Sequence, residues 1–261
     1  MEFKKPPILE AWIEFYLDLT DESITWDRDF AESFIDREYG AEFPKRNFNL
    51  LASGGKVQVE KGIPHIINAN IEFDRIRAKT ENEDYCIQAG RDILVVNQIK
   101  KDDIDWPRYE TLLDKAIDAL GRFITFRGLN GITGTSLHYR DLIVIPPKEN
   151  EDGISLDKYF RISPRIPTED FGSMSSFNVS FELPDICEDC VANLTLQTTR
   201  SRIKSEDNCF RFMMDWHLRS TCLFEKLDQT VSWLNNAHQS LHTRFKNSFT
   251  EEGLKLFEPE G

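Results

Sequence analysis

The sequence predicts an α+β protein built from antiparallel sheets and long helices, and three observations carry that reading. Several stretches alternate apolar and polar residues with period two, the mark of a strand with one buried face. Two longer stretches space their apolar residues by three and four, the mark of an amphipathic helix. Each of those helices closes a similar run of strands, so the chain reads as two β-α-β-β-β-α halves, residues 1–130 and 131–261, forming one compact unit. No residue motif repeats between the halves, and the duplication rests on the order of elements alone.

The first half opens with ILEAWIEFYLDL at residues 8–19. Leu9, Ala11, Ile13, Phe15, Leu17 and Leu19 face one way, and Glu10, Trp12, Glu14, Tyr16 and Asp18 the other. Phe30, Phe34, Ile35 and Tyr39 then predict a helix over 27–43, ended by Gly40 and Pro44. Strands follow at about 65–78, 85–89 and 93–99, with turn residues at 80–84 and 90–92. Next comes the clearest helix, where Tyr109, Leu112, Leu113, Ala116, Ile117, Leu120, Phe123 and Ile124 form one stripe. Pro107 sits near its first turn and Gly128 just past its end.

The second half begins with a strand over 132–145, stopped by Pro146 and Pro147, and a short helix at 155–160. Strands at 177–183, 191–199 and 210–219 alternate cleanly, the last with Phe210, Phe212, Met214, Trp216 and Leu218 inward. A helix over 224–249 closes the half, its stripe being Phe224, Leu227, Val231, Leu234, position 238, Leu241, Phe245 and Phe249. A curved sheet gripping a long helix in this way is similar in topology to the TATA-binding-protein or Bet v 1 type of helix-grip fold. The loop 146–172, rich in Pro, Gly and charge, is long enough to be functional.

Composition excludes several function classes. A net charge of −13 opposes binding to phosphate backbones, which relies on Lys and Arg displacing counterions. The best basic stretch, Arg200, Arg202 and Lys204, runs into turn chemistry at 205–208, so nucleic acid is disfavoured as a partner. No run of eighteen apolar residues exists to span a membrane. MEFKK leads into Pro6-Pro7 without an apolar signal region, and five irregularly spaced cysteines do not make a secreted disulfide framework. The expectation is a cytoplasmic protein.

His238 and His242 lie four apart on the last helix, the spacing with which a helix presents two imidazoles to zinc. They are the only metal candidates. Gln239 stands where a zinc protease places its Glu base, which removes the hydrolytic version. A third ligand would have to come from elsewhere, and His217 faces away with Arg211, Asp215 and Arg219. His238 therefore reads as a core-facing histidine, hydrogen-bonded at the seam of helix and sheet. Cys187 and Cys190 form a lone C-x-x-C in a hairpin turn, without the second pair a zinc ribbon needs. Ser53-Gly54-Gly55-Lys56 lacks the first Gly and the final Ser or Thr of a phosphate loop and reads as a turn. No catalytic residues are assigned and no cofactor is implied. Glu10, Trp12, Glu14 and Tyr16, with aromatics and acids on one strand face, are candidates to line a pocket or a partner surface, together with His238.

PPILEA at 6–11, WLNNAH at 233–238 and Phe245 resemble a sporadically distributed family of uncharacterised prokaryotic proteins. That family has an N-terminal P-P-I-x-E-A-type strand and a C-terminal W-L-x-x-A-H helix. QAGRD at 88–92 and LVVN at 94–97 are similar to the same family's central hairpin. The resemblance implies no established chemistry, but it makes His238 a family feature. The family's patchy distribution suggests a toxin–antitoxin or antiphage component. The loop after Pro146 and the Cys187 hairpin depart from it. Together these readings favour a non-catalytic, protein-binding or regulatory subunit, whose acidity suits a basic partner. The alternative is a small-ligand-binding protein or enzyme using the cavity between curved sheet and long helix.

Overall fold

The computed structural model describes residues 3–18, 26–53, 56–60, 63–67, 70–101, 106–129, 131–146, 154–162, 176–183, 186–199 and 209–258. Leu19, residues 54–55, the basic stretch 200–208 and most of the 146–172 loop lie outside them. In chain order the elements are β1 (Ile8–Leu17), α1 (Arg28–Glu38), β2 (Lys45–Ser53), β3 (Lys56–Glu60), β4 (Ile63–Ile67), β5 (Asn70–Lys79), β6 (Tyr85–Gly90), β7 (Ile93–Ile99) and α2 (Tyr109–Arg127). They continue with β8 (Ile132–Ile145), β9 (Asn178–Leu183), β10 (Cys190–Thr198), β11 (Phe210–Ser220), α3 (Leu227–Asn247) and α4 (Glu251–Leu254). Nine of these strands belong to an antiparallel sheet and β3 and β4 form a separate ribbon, so the protein is α+β.

The order of elements departs from the expectation in the first half. Six strands, not three, separate α1 from α2. The strand expected over 65–78 divides into β4 and β5, and β2 and β3 arise from residues to which no strand was assigned, although β3, KVQVE, alternates with period two. β2 reads KRNFNLLAS, a polar strand that leaves Leu50 and Leu51 exposed and shifts register against β5 between Asn49 and Leu50. With apolar side chains on the solvent side and a bulge in the middle, alternation disappears from the sequence. In the second half the helix expected at 155–160 is a single 3-10 turn, Leu156–Lys158.

The described chain forms two compact units. One holds Ile13–Lys101 and Pro107–Thr133. There α1 starts at Asp27, whose carboxylate accepts the backbone N–H of Phe30 at 2.8 Å, an N-cap. α2 ends at Gly128, whose φ of 66° is the left-handed turn that glycine takes without strain. Between the two helices Phe34 meets Phe123 and Phe126, with ring centroids 4.9 and 5.2 Å apart. Arg127 is buried over the Trp26 ring and donates from Nη1 to the Arg91 carbonyl at 2.9 Å.

The other unit holds Met1–Trp12, Asp102–Trp106 and Gly134–Gly261. Its strands run in the order β1, β8, β11, β10, β9. Alternation sends Leu137, Tyr139, Asp141, Ile143 and Ile145 of β8 to one face, with Phe212, Met214, Trp216 and Leu218 of β11 beside them. α3 covers that face. Its N-terminus is closed by Gln229, whose Oε1 accepts from the backbone N–H groups of Glu225 and Lys226 at 3.0 and 3.1 Å.

The buried line of α3 is Thr230, Trp233, Leu234, Ala237 and Leu241, displaced from the expected stripe. Leu227 is exposed, and Val231 and His238 are half-exposed. Apolar identity does not set this line: small Thr230 and Ala237 are fully buried, whereas Leu227 and Val231 are not. Positions 238, 242 and 245 then fall on the flank of the buried arc. His238 is thus a flank residue and not the core-facing one expected from the spacing.

Candidate functional site

In this second unit the segment before β1 is tied to the residues after α4. The backbone N–H groups of Lys4 and Lys5 donate to the carbonyls of Glu258 and Phe257 at 3.1 and 3.2 Å. Phe3 packs edge-on against Phe257 and Phe245, with centroids 5.6 and 6.0 Å apart. α4 is held by close approach: a Cβ on Gly253 would lie 2.2 Å from the Tyr159 carbonyl oxygen, so only glycine fits. Pro7 cannot donate, but its carbonyl accepts from the Leu142 N–H at 2.8 Å and so aligns the segment with β8.

Beside this clasp lies a cavity of about 90 Å³. Phe3, Pro6, Pro7 and Ile8 form one side of it. Tyr139 and Asp141 of β8 and Trp216 of β11 come from the sheet, and His238, Leu241, His242 and Phe245 from α3. Asp141, Trp216 and Leu241 are buried, whereas Phe3, the prolines, the histidines and Phe245 are half-exposed. The cavity therefore has a buried floor and an accessible rim. Its accessible lining is almost entirely apolar.

The floor carries two unsatisfied groups. Asp141 is 2% exposed, and among the described residues no donor reaches its carboxyl. Burial pushes that carboxyl up to about 8, and the negative charge of Asp215 adds to the shift. The indole N–H of Trp216 is buried and has no acceptor. Native interiors leave few such groups without a partner, and each asks for an explanation. At the rim, the Tyr139 hydroxyl and His238 Nδ1 share a hydrogen bond of 2.9 Å. The His238 and His242 rings lie nearly parallel with centroids 6.2 Å apart. Among the described residues no group of three His, Cys, Asp or Glu side chains is placed to hold a metal ion.

The opposite face of the same sheet is filled differently. Trp12 stacks on His138 at 4.4 Å, and His138 stacks on His217 at 3.9 Å, its direct cross-strand partner. The ring faces meet, so their nitrogens do not converge. Arg140 donates from Nε to Asp215 at 2.7 Å, lies 3.7 Å from Glu10 and covers the Trp12 ring at 5.5 Å.

The expected site residues are therefore divided. His238 and His242 border the cavity, whereas Glu10 and Trp12 belong to the stacked, ion-paired face. Glu14 and Tyr16 lie in the other unit, where the Tyr16 hydroxyl donates to Glu14 at 2.5 Å. Asp141, Tyr139 and Trp216 were not singled out from sequence. A signal for Asp141 was present: it is an acid in the buried phase of a strand that otherwise carries Leu137, Ile143 and Ile145 there.

A second depression, about 400 Å³, lies between the β9–β10 turn and the start of α3. It is larger, but its acids Glu188, Asp189 and Asp228 are exposed and already solvated. The Cys187–Cys190 pair in that turn is joined as a disulfide. Solvated carboxylates gain little from a ligand, so the smaller cavity, with a buried floor and an apolar lining, is the stronger site. No family model matches this chain, and no curated protein matches it in sequence.

Proposed function

We propose that this protein is a non-catalytic binding protein whose sheet and α3 act as a helix-grip unit, seating a small molecule, or the end of a larger one, in the cavity beside His238. The observation that supports this most is the cavity itself, about 90 Å³ with a buried floor, an accessible rim and an almost entirely apolar lining. A small apolar group that fills such a space gains on the order of 25 cal/mol for each Å² of apolar surface it removes from water. Pro6-Pro7-Ile8 and His238, which carry the resemblance to the prokaryotic family, border this same cavity.

The test is a fragment screen read by the indole and imidazole NMR signals of the full chain. Compounds of about six heavy atoms or fewer should shift the Trp216 and His238 signals at millimolar concentration, as small ligands bind weakly. Leu241→Phe, which narrows the cavity, should remove the shifts. A screen in which no compound moves these signals would sink the proposal.

A second reading, a subunit that binds a basic protein partner, draws on Leu223 at 74% and Leu227 at 38% exposure by the start of α3. A toxin–antitoxin or antiphage setting belongs to that reading and rests on the family resemblance. Its check is co-purification with the products of neighbouring genes, which Leu223→Glu should abolish if this patch is the contact.

A further inference from the structure

We infer that the turn between β9 and β10 carries a redox-active disulfide. The Cys187–Cys190 pair accepts two electrons from a small dithiol and returns them to a small disulfide, with Cys187 the sulfur attacked and Cys190 the one that leaves. Three features of the turn carry this: its exposure, a backbone held in place from outside the ring, and one N–H aimed at Cys190.

Both cysteines are half-exposed, so a reductant in solution meets them at the surface. The bond between them closes a loop of only two intervening residues, the case in which a crosslink restrains the unfolded chain least. It is poorly suited to serve as a staple for the fold.

The turn keeps its shape by other contacts. Ile186 is buried just ahead of the ring, and Cys190 opens β10 opposite Ser220 of β11. Asp189 lies in the left-handed region with φ 53°, which aspartate tolerates better than most residues with a Cβ. Its carbonyl accepts the Thr221 N–H at 2.8 Å. None of these contacts needs the S–S bond, so reduction leaves two adjacent thiols that can close again.

The two sulfurs are not equivalent. The backbone N–H of Cys187 donates to Cys190 Sγ at 3.1 Å. A donor of this kind favours the charged form of the sulfur it meets, and the better-stabilised thiolate leaves faster. Sequence alone offers no helix start to do this, and the turn supplies a single amide in its place. The Cys187 carbonyl, also 3.1 Å from Cys190 Sγ, accepts the S–H once Cys190 is protonated. Glu188 and Asp189, between the cysteines, are exposed, and solvent and salt screen their charge. Cys222 lies two residues past Ser220, and burial together with the Asp189 charge raises its thiol. It stays protonated and is a poor competitor for the disulfide.

The chemistry balances as follows. A thiolate of the dithiol attacks Cys187 Sγ, a mixed disulfide forms, and the electron pair of the old S–S bond leaves on Cys190, which takes up a proton. The second thiol of the reductant then attacks the reductant's own sulfur in the mixed disulfide. Cys187 is released and protonated. Two electrons and two protons have passed to the cysteine pair, and the dithiol has become a disulfide.

The experiment uses the oxidised full chain without denaturant. Dithiothreitol should expose Cys187 and Cys190 to iodoacetamide, located by peptide mass spectrometry, and hydroxyethyl disulfide should restore the bond after the dithiol is removed. A brief exposure to 2-mercaptoethanol, trapped with N-ethylmaleimide, should place the mercaptoethanol on Cys187 and the maleimide on Cys190, in about tenfold excess over the reverse. Cys187→Ser keeps the amide that faces Cys190, so its Cys190 should react with iodoacetamide at neutral pH about tenfold faster than the Cys187 of Cys190→Ser. A bond that yields to dithiothreitol only after denaturation overturns the inference and makes the pair a structural staple. Equal or reversed trapping, or equal rates in the two variants, overturns the assignment of attacked and leaving sulfur on which it stands. A reduced pair that takes up zinc and no longer reoxidises overturns it as well.

Discussion

Two neighbouring residues of β8 show how differently one sheet treats charge on its two faces. Arg140 points to the open face, where Asp215 at 2.7 Å, Glu10 at 3.7 Å and the Trp12 ring surround it. Asp141, the next residue, points under α3, where among the described residues nothing donates to it. The open face compensates its charges within the fold and is complete as it stands. The face under α3 is not, and its carboxyl is held in the protonated form well above the usual carboxylate range. Compensation on one face and its lack on the other, a residue apart, separates a structural ion pair from a candidate site.

The largest expected effect tests the uncompensated side. Asp141 has its folded-state value raised to about 8 from an ordinary 3.8, so between these values the folded protein keeps a proton that the unfolded chain has lost. Stability should therefore fall as pH rises from about 4 to 8, by at most about 1.4 kcal/mol per pH unit from this group. Asp141→Asn should flatten that slope and melt higher than wild type at pH 8.5. Thermal melts across the range check it; an unchanged slope would show that Asp141 is compensated after all.

A smaller effect concerns the rim. His238→Ala and Tyr139→Phe should each cost about 1–2 kcal/mol, and the double variant less than their sum by about 1 kcal/mol, the worth of the shared hydrogen bond. Urea denaturation of the four proteins measures this, and strict additivity would mean that the bond contributes nothing. On the compensated face, Arg140→Ala should cost only about 0.5–1 kcal/mol, because its partners are partly solvated. Added salt should shrink that difference. His242→Ala, at a half-exposed position, should change stability by less than about 0.5 kcal/mol.

What was legible in the sequence follows the same division. β8, β11 and α2 could be read locally, because one face of each is apolar at a fixed period and the other is not. β2 could not, since Leu50 and Leu51 point outward and a bulge breaks its phase. The cavity was half legible. Asp141 stood out of phase with its strand, but its isolation becomes visible only once Leu241 and Phe245 are known to lie above it. The His138–His217 stack was not legible at all, because it depends on the register between β8 and β11, which no short stretch encodes. The stripe of α3 was misplaced for a related reason: apolar identity picks out Leu227 and Val231, whereas the buried line runs through Thr230, Trp233 and Ala237.

The clasp that ties Lys4 and Lys5 to Phe257 and Glu258 has a bearing on the order of events during synthesis. The paired residues Lys5 and Glu258 are separated by 253 positions. On a ribosome adding about 5–20 residues each second, the early segment waits on the order of ten seconds or more for its partner. β8 to β11 can pair before then, but one wall of the cavity cannot be fixed until residues 257–258 emerge. Whatever enters this site does so only after residues 257–258 have emerged, and a nascent chain stalled short of that point would be folded in its sheet yet unable to hold a ligand.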